Sequence, residues 1–184
     1  AVRTRLRDGF LTRLARGYGL MYLAYRPAAV YVNGQFWGML NLRERANRDA
    51  VAQWEGVTDP DAVRDIIIIK NRGVQQQGSR EELEALAAFC RTRDLNEPEH
   101  LRHVLGQLDV DSLFAHTAFQ IITGNSDLQN VRYYKVPGGK WKLMLFDLDL
   151  GMMNNNNLTL PFYMGNGKTP TLYCYGELFQ ALMQ

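Results

Sequence analysis

Asp127, Asn130, Asp147 and Asp149 combine residue type and spacing in a way that can do chemistry. They lie in the stretch GNSDLQNVRYYKVPGGKWKLMLFDLDLGM, residues 124–152. Carboxylate and amide oxygens are hard ligands that suit Mg²⁺ or Mn²⁺, and such cations commonly hold phosphates. A further carboxylate beside them can orient an acceptor hydroxyl and take its proton.

Two strands must bring these groups together. VRYYKV (131–136) is rich in β-branched and aromatic residues and reads as a strand. Pro137-Gly138-Gly139 supplies a turn, with φ fixed at the proline and positive φ open to the glycines. KWKLMLF (140–146) alternates Trp141, Leu143 and Leu145 against Lys140, Lys142 and Met144. If that strand runs on, Asp147 and Asp149 point the same way, about 7 Å apart. The start of one antiparallel strand lies beside the end of its partner, so Asn130 and Asp147 are expected to converge. A base Asp, a metal-binding Asn, a hairpin and a metal-binding Asp form the catalytic end of a protein-kinase-like lobe. Here the Asp–Asn gap is shorter than the generic kinase spacing. The last element reads Asp147-Leu148-Asp149-Leu150-Gly151 in place of Asp-Phe-Gly.

Composition sets the frame for this site. The chain has 184 residues, 46% hydrophobic and 22% charged, enough to bury a core in one ordinary domain. The net charge of +2 is too small to argue for a nucleic-acid partner. No apolar run approaches the roughly 20 residues of a membrane span. The expected organisation is a single domain over residues 1–184, a piece cut at one or both ends. Cys90 and Cys174 admit either a disulfide or two thiols.

The other elements follow from local signals. Residues 3–17 read as a helix with Leu6, Phe10, Leu11 and Leu14 inward. Arg3, Arg5, Arg7, Arg13 and Arg16 then form a solvated face, with phosphate contact as the alternative. In AVYVNGQFWGMLNLRER (29–45), Asn33-Gly34 between strand-like runs signals a hairpin. Arg43 and Glu44 close its second strand, and by residue type alone they form a surface ion pair. Asn47 caps a short helix to Glu55, with Val51 and Trp54 inward. DIIIIKNRG (65–73) is a buried strand whose Lys70 reaches either water or a phosphate.

Ser79 and Glu82 have capping-box spacing for a helix to about Arg93, with Cys90 on its core face. Another helix covers 96–106 and carries His100 and His103 at the surface. A mostly apolar helix, 111–123, carries His116 as a core histidine and ends at Gly124. Residues 151–170 form a long Asn/Gly/Thr-rich loop with an apolar LPFYM patch, suited to substrate docking. Residues 173–184 read as a final helix. The fold class is α+β, with a small β-rich front half and a helical back half.

VYVNGQFWGMLNLRER, the compact Asp-x-x-Asn and YYKVPGGKWKLMLFDLDLGM together resemble the CotH kinase family of spore-coat proteins, over Arg7 to Gly151. The resemblance implies an atypical protein-kinase-like fold. It implies transfer of the ATP γ-phosphate to Ser or other hydroxyls of secreted, coat or surface proteins, with Mg²⁺ or Mn²⁺. Position by position, Asp127 resembles the catalytic aspartate, Asn130 and Asp147 resemble the metal ligands, and Asp149 would support the metal shell. Glu44, Arg43 and Lys70 would serve the nucleotide and the small-lobe ion pair. No Gly-rich phosphate loop of the usual kinase pattern is present. Two other readings stand beside this one. A metal-dependent glycosyltransferase would use Asp-x-Asp for a sugar-nucleotide metal. A catalytically inactive pseudokinase or structural coat module would keep the same residues as loop braces.

Overall fold

The computed structural model describes residues 6–70, 75–125, 130–152 and 182–183. Helix α1 (Arg7–Leu14) runs into a 3-10 turn (Ala15–Tyr18). Strands β1 (Met21–Tyr22), β2 (Tyr25–Val32) and β3 (Gln35–Arg43) follow, then helices α2 (Arg48–Glu55) and α3 (Pro60–Arg64). Strands β4 (Ile67–Lys70) and β5 (Gln75–Gln77) precede helices α4 (Glu81–Thr92), α5 (Pro98–Gln107) and α6 (Val110–Ile122). Strands β6 (Arg132–Lys135) and β7 (Lys142–Leu145) complete the described elements. The chain is therefore mixed α and β, with six α-helices and two sheets among the described residues.

The larger sheet has the order β1-β7-β6-β4-β5. β1 runs parallel to β7, and the β7–β6, β6–β4 and β4–β5 pairs are antiparallel. This order explains the residue pattern of β7. Trp141, Leu143, Met144 and Leu145 are all buried, because a central strand with both faces covered needs apolar residues on both. One face packs on Leu83, Leu86, Ala87 and Cys90 of α4, Val104 of α5 and Leu113 of α6. The other packs on Ala50, Val51 and Ala52 of α2, around Ile66, Ile68, Tyr134 and Met144. A third cluster, with Leu11, Ala15, Leu20, Phe119, Leu145 and Leu148, seats α1 against the end of β7.

The β2–β3 hairpin is a separate two-stranded sheet. Its turn is the expected one: Asn33 and Gly34 both have positive φ, at 49° and 81°, as a tight hairpin turn requires. Several local expectations need correction. The inward face of α1 is Asp8, Leu11 and Thr12, continued by Ala15 of the 3-10 turn, while Leu6, Phe10 and Leu14 are exposed. Of the expected inward residues Leu11 alone is buried, and the carboxylate Asp8 occupies the buried face beside it. Asn47 caps α2 through Ala50 N–H (3.1 Å), and Val51 is buried, but Trp54 is 39% exposed. Ser79 accepts from Glu81 N–H, yet Arg80 holds the cap position of α4, so the expected capping box does not form. Glu82 pairs with Lys135 of β6 instead. α6 is capped by Asp109, which accepts from Ser112 N–H at 2.9 Å. The expected long loop beyond Met152, Cys174 and nearly all of the expected final helix lie outside the described residues. No helix among the described residues is long and apolar enough to cross a membrane.

His116 of α6 is 1% exposed, and burial alone holds its imidazole down to about 3 from the usual 6.5. The folded state therefore keeps it neutral while the unfolded chain takes up a proton below pH 6.5. Stability should fall as pH drops through that window, by about 1.4 kcal/mol per pH unit. Urea unfolding at pH 7 and pH 5 should differ by about 2 kcal/mol from this group. His116→Gln should remove that part of the difference.

Candidate functional site

Strand directions decide which residues meet. β4 and β7 end, and β6 begins, at one edge of the larger sheet. Arg132 is the partner of Met144 on one side and of Lys70 on the other. Residues Asn130, Arg132, Lys70 and Asp147 are therefore neighbours at a single end of the sheet. The expected convergence is present as a hydrogen bond. Asn130 Nδ2 donates to Asp147 Oδ2 at 2.9 Å, across seventeen positions of sequence.

The backbone at Asp147 is not the expected strand. β7 stops at Leu145, and Asp147 has φ of 56°, in the left-handed region. Asp is among the few residues that tolerate this conformation. The chain turns there, so Asp147 and Asp149 do not sit at i and i+2 of one strand face. Asp149 is exposed, and its carbonyl accepts from Arg7 Nη1 at 3.0 Å. The expected pair of carboxylates on one face is thus replaced by a carboxylate and an amide.

Arg132 is the site residue that sequence reasoning missed. It is 8% exposed, and its guanidinium lies 3.7 Å from the centroid of the Phe146 ring. Burial pulls its pKa below the usual range, and the Asp147 charge acts in the opposite sense. Lys70 faces it directly across the β4–β6 ladder. Like charges at facing positions repel unless an anion or carboxylate lies between them. The available signal was the strand register: a lysine ending one apolar strand and an arginine beginning another.

Asp8 was also missed. It is 7% exposed, Oδ1 accepts from Leu148 N–H at 2.9 Å, and its other oxygen pairs with Arg43. Arg43 therefore meets Asp8, rather than forming the expected surface pair with Glu44. Glu44 closes the base of the hairpin: Oε2 accepts from Ala24 N–H, and its own N–H donates to Ala24 O, both at 2.9 Å. Among the described residues no ion pair links Glu44 to Lys70. Asp127 lies outside the described residues, between the buried Asn125 and Asn130 in sequence.

The donor set fits a hard divalent cation, because Asp147 and Asn130 together offer carboxylate and amide oxygens. Rotation about the Asn130 side chain would present its Oδ1 in place of Nδ2. Among the described residues no group of three or more His, Cys, Asp or Glu side chains is placed to hold a metal. A polar cavity of about 280 Å³ lies at the other end of β7, with Glu55, Asp109, Asp111 and Lys142 in its lining. Its Glu55 is committed to Lys142 (2.8 Å) and to the Tyr134 hydroxyl (2.7 Å). Burial, then the Glu55 hydrogen bond, raises the Tyr134 pKa and keeps that hydroxyl a donor.

The left-handed backbone at Asp147 gives a stability prediction. Asp147→Asn should unfold within about 1 kcal/mol of the wild type, since Asn also tolerates this conformation. Asp147→Val should cost about 1–2 kcal/mol more, because a β-branched residue is strained at positive φ. Urea unfolding of the two variants checks the difference.

No curated protein matches the chain closely enough to stand as a relative. The family described as CotH kinase protein matches residues 3–184. With that match over almost its whole length, the chain belongs to the CotH kinase family.

Proposed function

We propose that this chain is a metal-dependent phosphotransferase of atypical protein-kinase-like fold, acting on hydroxyls, chiefly Ser, of secreted, coat or surface proteins. The observation that carries the reading is the Asn130–Asp147 hydrogen bond at the sheet end where Lys70 and Arg132 face one another. A carboxylate and an amide that can turn its oxygen to a cation, beside two facing cations, suit a metal–phosphate group better than either alone. Family membership supports a kinase-type activity.

In this reading Asn130 and Asp147 would hold Mg²⁺ or Mn²⁺, which when bound neutralises charge on the ATP phosphates. Lys70 and Arg132 contribute positive potential toward the same phosphates. Asp127 orients the acceptor hydroxyl and takes its proton as the new O–P bond forms and ADP leaves. Positioning and electrostatic stabilisation carry most of the barrier reduction in such transfers. Asp149 would support the metal shell or its water. The glycosyltransferase alternative draws less support, because Asp147 and Asp149 do not follow one another along a strand and the family matched is one of kinases.

Calorimetric titration with a non-hydrolysable ATP analogue tests the site. Binding should require Mn²⁺ and should weaken at least about tenfold in Asp147→Asn, the loss of a charged metal ligand. Asp127→Ala should keep that binding while transfer to a Ser-containing peptide falls by about 10²–10⁴. Binding indifferent to both Mn²⁺ and Asp147→Asn would contradict the reading. Binding without any transfer in the wild type would favour the pseudokinase alternative.

A further inference from the structure

Leu148 N–H belongs to the peptide unit that follows Asp147, so its direction reports the ψ angle of Asp147. That N–H donates to Asp8 Oδ1 at 2.9 Å, across 140 positions. Asp147 already holds a left-handed φ, which few residues adopt without support. We propose that Asp8 is a positioning residue, whose carboxylate fixes the turn that presents Asp147 to the metal. The proposal rests on the metal-binding reading of Asp147 and adds the residue that sets its geometry.

Three observations carry it. First, Asp8 is 7% exposed, and a buried carboxylate is costly unless its oxygens are hydrogen-bonded or paired. Its two partners are Leu148 N–H and the Arg43 guanidinium, so its place depends on both. Second, the apolar residues around the same turn hold it to α1. Leu148 is buried in one cluster with Leu11 and Ala15. Gly151 lies so near α1 that a β-carbon there would collide with Leu11 Cδ1. Gly151 N–H also closes the turn onto Leu148 O at 3.0 Å. Third, Arg43 ends β3, so the Asp8 carboxylate joins the base of the hairpin to the turn after β7. Apolar packing alone would hold the turn near α1. The hydrogen bond to Asp8 constrains how the Asp147–Leu148 peptide is rotated.

Asp8→Ala removes both interactions. Asp8→Asn keeps a side-chain oxygen for Leu148 N–H and loses the charge pairing with Arg43. Leu86→Ala, in the α4 core far from this turn in sequence, serves as the control for general destabilisation. Two readouts separate positioning from stability. In metal-free protein, NMR should show Leu148 amide exchange at least about tenfold faster in Asp8→Ala, as expected for loss of a buried hydrogen bond. The Asn130 side-chain amide signals should shift in the same variant. Asp8→Asn should restore both toward wild type, and Leu86→Ala should leave both unmoved. By electron paramagnetic resonance, Mn²⁺ affinity should fall about tenfold in Asp8→Ala, and less in Asp8→Asn.

Unchanged Asn130 signals and Leu148 exchange in Asp8→Ala would overturn the assignment of Asp8, whatever the metal does. Equal Mn²⁺ affinity in wild type and Asp8→Ala would overturn it as well. Absence of Mn²⁺ binding in the wild type would instead overturn the metal reading of Asp147. The NMR comparison would then still decide whether Asp8 sets the turn.

Discussion

The register of β6 against β7 is the constraint on which the site depends. Arg132 pairs with Met144 and Tyr133 with Leu143, and these positions place Asn130 within hydrogen-bond reach of Asp147. A slip of one residue would send every side chain of a strand to the other face. That slip is opposed on both sides of the sheet. Tyr133, Trp141 and Leu143 are locked into the cluster with α4, α5 and α6, and Tyr134 and Met144 into the cluster with α2. The isolated bridge of Trp141 to Leu108, with backbone bonds to Gln107 O and Asp109 N–H, fixes the start of β7 as well. The core is thus the device that sets the distance between the Asn130 amide and the Asp147 carboxylate.

Charge is distributed along the sheet in a way that matches this division. At the start of β7, Lys142, Glu55 and Tyr134 satisfy one another within a partly buried network. At its end, Lys70 and Arg132 face each other, and the acidic groups belong to turns and to α1. The first set closes on itself and rigidifies the scaffold. The second brings positive and negative groups to one end of the sheet, beside the turn that follows β7. Ligand sites favour such ends, because loops there can vary while strands hold position.

Much of this was legible in the sequence, for reasons that differ from element to element. The hairpin turn at Asn33-Gly34 was readable because few residues other than these adopt consecutive positive φ. The meeting of Asn130 with Asp147 was readable because antiparallel pairing is a geometric rule. The conformation of Asp147 was not readable. Alternation in KWKLMLF continues smoothly toward it, and nothing local marks the end of the strand at Leu145. The turn is set by tertiary groups, Leu11 and the Asp8 carboxylate among them. Asp8 was hidden for a related reason. A carboxylate among arginines at the start of a helix reads as surface charge, and its two partners lie 35 and 140 residues away. Arg43 was misread as the partner of Glu44 because sequence adjacency was the only information available. Trp54 and Phe10 show the limit of hydrophobic spacing, since each fits a helical stripe and each remains exposed.

Paramagnetic broadening by Mn²⁺ in the NMR spectrum of the full chain tests the central claim most directly, because it maps where the cation sits without assuming activity. The account predicts that substoichiometric Mn²⁺ broadens the signals of Asn130, Val131 and Arg132 and of Phe146 to Leu148 first. Signals at the far end of β7, such as Glu55, Asp109 and Lys142, should persist. Broadening centred on Glu55, Asp109 and Asp111, with Asn130 and Asp147 unaffected, would contradict it.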